Sequence, residues 1–229
     1  IWVFLSLISA YILWRLAYGK QIPITNLSLG RKMWLGGLTI LIIGASIYPL
    51  LGTHTRLETR FSNNVKSMTL DGTAFIENSI YRDPEGVNID LASDYEAIQW
   101  LKHNVSGSPI ILEGVTPAYR WGSRISVYTG LPTIIGWQWH QKQQRWDYQA
   151  YVNKRIKDVE TIYLSINPSE ALALIREYNV KFIVVGQIEH TYYPGPGLDK
   201  FEDNLSGNLT RVFQNDQVSI YQVLDKKHK

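Results

Sequence analysis

The sequence contains no cysteine. Disulfides, thiolate-ligated metal and a thiol nucleophile are therefore excluded. Acid is missing from one region only. None of the 20 Asp and Glu residues precedes position 54, so the first 53 residues carry Arg15, Lys20, Arg31 and Lys32 unopposed. Beyond that point 19 basic residues face all 20 acidic ones, and the formal net charge of +3 originates in the N-terminal segment. The pI near 8.9 is thus no signal of nucleic-acid binding. No basic stripe with interleaved aromatics follows to support such a partner. Walker, GxGxxG, GxSxG and HExxH patterns are also absent, which leaves a soluble hydrolase without a supporting motif. No second histidine stands at ligand spacing from His140, so no metal site is expected, and the sequence specifies no cofactor.

Long apolar runs, by contrast, are present. Ile1 to Tyr18 is apolar and aromatic with one charge, Arg15, and Met33 to Thr53 has none. A helix needs about 20 apolar residues to span the hydrocarbon core. The second run meets that length. The first, opening at Ile1 without a basic region or a small-residue cleavage site, reads as a helix entered part-way rather than a signal peptide. The alternative is a buried hairpin in a soluble core. The intervening segment, Gly19 to Lys32, is short and positive, which predicts a cytoplasmic loop and an outward-running second helix. Trp2, Trp14, Tyr18, Trp34 and Tyr48 suit the interfaces with membrane lipid. Gly36, Gly37 and Gly44 suggest close packing on further helices upstream. The expected organisation is a transmembrane hairpin over 1–53, a connecting segment over 54–91, and an extracytoplasmic domain over 92–229.

In that domain, Ser93 or Asp94 is expected to cap a helix through Val105. Ile110–Glu113, Thr161–Ser165 and Lys181–Gly186 read as strands, and Pro168 opens a helix through Tyr178. Leu198 to Leu205 suggests a short helix. Leu209–Phe213 and Gln217–Val223 suggest a hairpin about Asn215-Asp216, and Asp225–Lys229 a charged tail. The alternation predicts an α/β fold: two transmembrane helices followed by an extracytoplasmic layered α/β domain with a mostly parallel sheet.

The stretch from Glu113 to Tyr151 fits no such alternation. It is rich in aromatics and turn residues, and loops of that kind commonly carry sites. Trp and Tyr faces suit sugars or lipid headgroups, while Arg suits phosphate oxygens. The candidate binding residues are Arg124, Trp137, Trp139, His140, Gln141, Arg145 and Trp146. Two carboxylates at expected strand ends, Glu113 and Glu189, join them. Against this stands a folded loop whose aromatics simply pack, with Glu113 in a salt bridge to a nearby arginine. Trp146-Asp147-Tyr148 echoes the WWDYG signature of oligosaccharyltransferase catalytic subunits, but Arg145 and Gln149 break it, and we read the echo as chance.

Several motifs in collinear order resemble the YYY-domain membrane proteins of bacteria and archaea. They are Thr69-Leu70-Asp71-Gly72, Ser93 through Leu101, Gly122 through Ser126, Thr129 through Thr133, Gly136 through Gln141, Arg155 with Asp158 through Tyr163, and Val180 through Gly186 with Glu189 and Tyr193. Such proteins are multi-pass and similar in layout to GT-C glycosyltransferases, which draw a sugar from a lipid-phosphate donor on the outer face. The resemblance implies the C-terminal part of such an enzyme. Its partners would be membrane lipid, upstream transmembrane helices and a lipid-linked sugar, and its catalytic carboxylate would lie in an earlier loop. Under the alternative, the chain is a non-catalytic membrane-anchored envelope protein whose outer domain binds a glycan or a protein.

Overall fold

The structure, a computed structural model, describes residues 1–18, 28–60 and 69–224. The chain divides into two compact units, Ile1–Thr59 and Arg60–Lys229.

In the first unit, helix α1 spans Trp2–Tyr18 and α2 spans Leu29–Ile47. Pro49 cannot donate a backbone hydrogen bond, and the helix widens into a π turn over Tyr48–Gly52. It then continues as α3, Thr53–Arg60, where an irregular connection was expected. Among the described residues one helix, Leu29–Arg56, is long and apolar enough to cross a membrane, and none of its apolar window is buried. The apolar part of α1, Trp2–Arg15, is shorter. A side chain at Gly36, Gly37 or Gly44 would meet nothing within 4 Å, so the described residues do not supply the close packing expected there. Most of the positive loop, the side chain of Tyr18 and the charged tail lie outside the described residues.

The second unit opens with a 3-10 turn, Ile76–Asn78, and a small antiparallel pair, β1 (Ile80–Arg82) and β2 (Asn88–Asp90). Helix α4 runs from Leu91 to Asn104. Its cap is Asp90, whose carboxylate accepts from Ala92 N–H at 3.1 Å, so the expected caps Ser93 and Asp94 fall inside the first turn. Strand β3 is Ile110–Leu112. Then come two short helices, α5 (Arg124–Thr129) and α6 (Gln138–Gln144), and the long α7, Gln149–Leu164. Helix α8 is Pro168–Glu177, β4 is Val180–Val185 and α9 is Gln187–Tyr192. Helices α10 (Asp199–Glu202) and α11 (Asn204–Gly207) precede the hairpin of β5 (Leu209–Gln214) and β6 (Ser219–Val223).

The main sheet has the order β3-β4-β6-β5. Only β3 and β4 are parallel; β4–β6 and β6–β5 are antiparallel. The expectation of a mostly parallel sheet is therefore corrected. One cause is the C-terminal hairpin. Asn215 closes it by accepting from Gln217 and Val218 N–H, and β6 then returns against β4. The other cause is Thr161–Ser165, expected as a strand, which forms the end of α7. Val152, Val159, Ile162 and Tyr163 place one stripe of that helix in the core, and burying the stripe outweighs the local β-propensity.

Side chains alternate across the sheet as the strand period requires. Leu112, Ile183, Val185 and Tyr221 meet α7 and α8 on one face. Ile111, Phe182, Val184 and Ile220 meet Ala97, Ile98 and Leu101 of α4 and Ile125 of α5 on the other. The result is a three-layer α/β domain. The loops that follow β3 and β4 emerge side by side at one end of the sheet.

Candidate functional site

Two groups of side chains collect at that end. One is buried. Arg124, 1% exposed, sits between carboxylates from two other elements. Its Nε lies 2.8 Å from Asp94 Oδ1 on α4, and its Nη1 and Nη2 donate to Glu189 of α9 at 3.1 and 2.9 Å. Glu189 also accepts from the backbone N–H of Gly114 and Gly186, tying the β3 loop to the β4 loop. Asp94 accepts from the Trp121 indole at 2.8 Å. Glu113 accepts from the N–H groups of Ile125 and Ser126 at the start of α5, where an anion offsets the helix dipole. It caps a helix instead of forming the arginine salt bridge considered for it.

Burial raises the pKa of Asp94 and of Glu113. Burial alone would raise Glu189 too, but Arg124 and the two N–H donors outweigh it and hold Glu189 low. Burial likewise opposes the charge on Arg124, yet Asp94 and Glu189 push its pKa up. Arg124, Glu113 and Glu189, three of the expected binding residues, thus spend their polar groups inside the domain. None of the three lines an open surface.

The second group is open. Thr116, Pro117, Ala118, Tyr119, Arg120, Trp137, Gln138, Trp139 and His140 enclose a cleft of about 320 Å3. Three of the expected residues, Trp137, Trp139 and His140, meet here. The two tryptophans are about half exposed, at 52% and 50%. Trp137 is fixed by its indole N–H on Gly122 O at 3.2 Å, and His140 stands edge-on to it with ring centroids 5.5 Å apart. Gln138 donates to Thr116 O, joining the two walls. Gly122 allows this approach, because a Cβ there would overlap the Thr116 hydroxyl. Tyr119, 88% exposed, holds a left-handed backbone with φ of 63°. That conformation is strained for a bulky residue and is typical of functional loops.

Gln141 and Arg145 are on α6 and at its end, outside the cleft lining, and the side chain of Trp146 lies outside the described residues. The other aromatics of this stretch divide differently. Trp121 and Tyr128 pack with Phe75 and Tyr81, so part of the aromatic richness is core. Sequence reasoning missed Tyr119, Arg120 and Thr116. Their only signal was membership of the same turn-rich stretch.

A smaller concavity of about 300 Å3 is lined by Ile166, Pro168, Pro196, Asp199, Lys200 and Asp203. The Lys200 amine donates to the carbonyls of Tyr163 and Gly197, and burial lowers its pKa to about 8. Its donors are engaged in holding the chain after α9, and we read it as structural.

No family model matches the chain. No curated protein matches it. Among solved structures, the chain is similar to the C-terminal globular domain of an oligosaccharyltransferase from Archaeoglobus fulgidus, with 13% sequence identity and a TM-score of 0.38, over 56% of this chain and 95% of that one.

Proposed function

We propose that the chain is the C-terminal part of a multi-pass, GT-C-like membrane glycosyltransferase of the YYY-domain kind, and that the aromatic cleft holds a sugar of its substrate on the outer side of the membrane. The observation that carries this reading is the cleft itself, with two half-exposed tryptophans, one of them fixed by a hydrogen bond, beside His140 and Gln138. Flat aromatic faces bury the C–H surface of a sugar while the polar rim meets its hydroxyls. The apolar helix Leu29–Arg56 supports membrane attachment.

No carboxylate lines the cleft among the described residues. A general base for an acceptor hydroxyl would therefore come from elsewhere in the protein. The same observation favours a second reading, an envelope protein that binds a glycan without transferring it.

Sugar transfer from polyprenyl-phosphate-linked donors by the full-length protein in membranes separates the two. The enzyme reading expects transfer in wild type and a loss of about tenfold or more in Trp139→Ala, whose side chain is open and makes no hydrogen bond among the described residues. Glycan binding without transfer from any donor would move the assignment to the binding protein. Neither transfer nor binding would end both.

A further inference from the structure

Four Asn-x-Ser/Thr triplets with a central residue other than proline stand in the sequence: Asn26-Leu27-Ser28, Asn104-Val105-Ser106, Asn204-Leu205-Ser206 and Asn208-Leu209-Thr210. On the outer side of a membrane such a triplet is an acceptor for an N-linked glycan. A glycan is bulky, and the folded domain must leave room for it. The fold separates the four on that ground. Asn208 is half-buried with both ends of its amide engaged: Oδ1 accepts from Arg176 at 2.7 Å and Nδ2 donates to Leu205 O at 3.2 Å. Leu209, at the centre of its triplet, is 3% exposed and opens β5 in the main sheet. Leu205, at the centre of the Asn204 triplet, is 1% exposed and also belongs to the core. Asn26 lies outside the described residues, in the loop expected on the cytoplasmic side.

Asn104 differs at each point. It is exposed and is the last residue of α4. Val105 is extended, with φ of −111° and ψ of 122°, so the chain leaves the helix between the asparagine and the serine. Ser106 is exposed, and its hydroxyl makes no hydrogen bond among the described residues. The acceptor amide makes one bond, Nδ2 to Trp100 O at 2.8 Å. That bond is open to solvent in the last helical turn, where helix ends fray. Trp100 stands one turn back on the same helix face, half-buried and packed on Phe213 with ring centroids 5.8 Å apart. It leaves part of its indole beside the amide for the apolar side of a first sugar. The triplet is also clear of the cleft. Helix α4 starts beside Arg124, which its Asp94 pairs, and rises about 1.5 Å per residue, so Asn104 lies about 15 Å farther along, at the other end of the sheet.

We propose that Asn104 carries an N-linked glycan. This rests on the outward placement of the second unit. Asn104 Nδ2 attacks the anomeric carbon of a lipid-diphosphate-linked oligosaccharide, in a step catalysed by an oligosaccharyltransferase of the same membrane. One N–C1 bond forms and the C1–O bond breaks. The lipid diphosphate leaves with the electron pair of that bond, and Nδ2 gives up one proton.

The test is mass spectrometry of the full-length protein purified from its native membranes. Trypsin releases His103–Arg120, which contains Asn104 and no other triplet. We expect this peptide to carry a saccharide, and Asn104→Gln and Ser106→Ala each to remove it. Asn208 should stay bare, as should Asn167, whose triplet has Pro168 at its centre. In parallel, Ser108→Cys places a thiol two residues beyond the triplet. A membrane-impermeant maleimide is applied to intact cells, and its label is read on the same peptide. Labelling of that thiol beside a bare Asn104 in the wild-type protein would overturn the glycan and leave the outward placement standing. Labelling only after the membrane is opened would overturn the outward placement, and the glycan with it. A saccharide on Asn208 in place of Asn104 would overturn the selection by exposure, and one that survives Ser106→Ala would overturn the triplet as its determinant.

Discussion

Arg120 and Arg124 stand four residues apart and have opposite surroundings. Arg124 is sealed in the domain with its guanidinium divided between Asp94 and Glu189. Arg120 faces a cleft with one loose partner 3.9 Å away. The difference separates two uses of charge. A buried arginine shared between two carboxylates fixes loops against one another, and leaves little with which to bind anything else. An enclosed arginine whose donors are unanswered is available to a ligand. The two uses are also linked. The buried group pins the loop after β3 through Glu189 and Gly114, and that loop continues through Thr116 into the cleft wall.

Replacing Arg124 should give the largest effect. Arg124→Ala leaves Asp94 and Glu189 buried without their cation, a change that costs about 3–5 kcal/mol. Denaturant unfolding of the full-length protein, followed by a probe in the second unit, should show this loss. Arg124→Lys keeps the charge but not the two-pronged geometry and should recover only part of it. If Arg124→Ala melts like wild type and loses only binding, the division between the two arginines is wrong.

The sequence told these two arginines apart poorly. Both lie in one turn-rich stretch, and a charged residue there reads as surface. The partner that buries Arg124 is 65 residues away in sequence, and no local pattern joins them. Trp137, Trp139 and His140 were legible because flat aromatics and a histidine among glycines already suggest an open loop. Secondary structure was legible where the period was unambiguous. The run Val180–Val185, the hairpin about Asn215 and the helix from Pro168 all form near their expected bounds. Thr161–Leu164 was not, because a run of three apolar residues after a β-branched threonine suits a strand or a helix end equally. Only the longer spacing back to Val152 shows the helical stripe. The direction of β6 was set by a turn after the alternation had ended, which is why the sheet was expected to be mostly parallel.

Gly122 lies between the two arginines and sharpens the comparison. Gly122→Ala puts a methyl group onto the Thr116 hydroxyl, while Trp137 holds the carbonyl of the same residue. Forcing an extra methyl into so close a contact costs about 1–3 kcal/mol. The displaced wall should also weaken sugar binding in the cleft. A thermal melt and a titration on the same variant measure both. An unchanged titration beside a lowered melting temperature would show that the cleft does not depend on the approach of these two segments.

The smallest expected effect is one of pH, and it belongs to the buried group alone. Asp94 and Glu113 have folded pKa values raised by burial above their ordinary 3.8 and 4.5. A raised carboxyl binds its proton more readily folded than unfolded. Each therefore subtracts stability above its folded pKa, and the penalty is relieved as pH falls through that value. Glu189 has the opposite sign. Its pKa is held below 4.5, so its contribution is present above 4.5 and is lost as pH falls through the folded value. Glu113→Gln removes one group of the first kind and leaves Glu189 untouched. Subtracting the variant's melting curve from that of wild type isolates Glu113 from every other titrating group. That difference should move in favour of wild type as pH is lowered from neutrality towards 4.5, and level off below it. A difference that is flat over this range would mean that the Glu113 carboxylate bears no penalty for burial, its two N–H partners at the start of α5 compensating it in full.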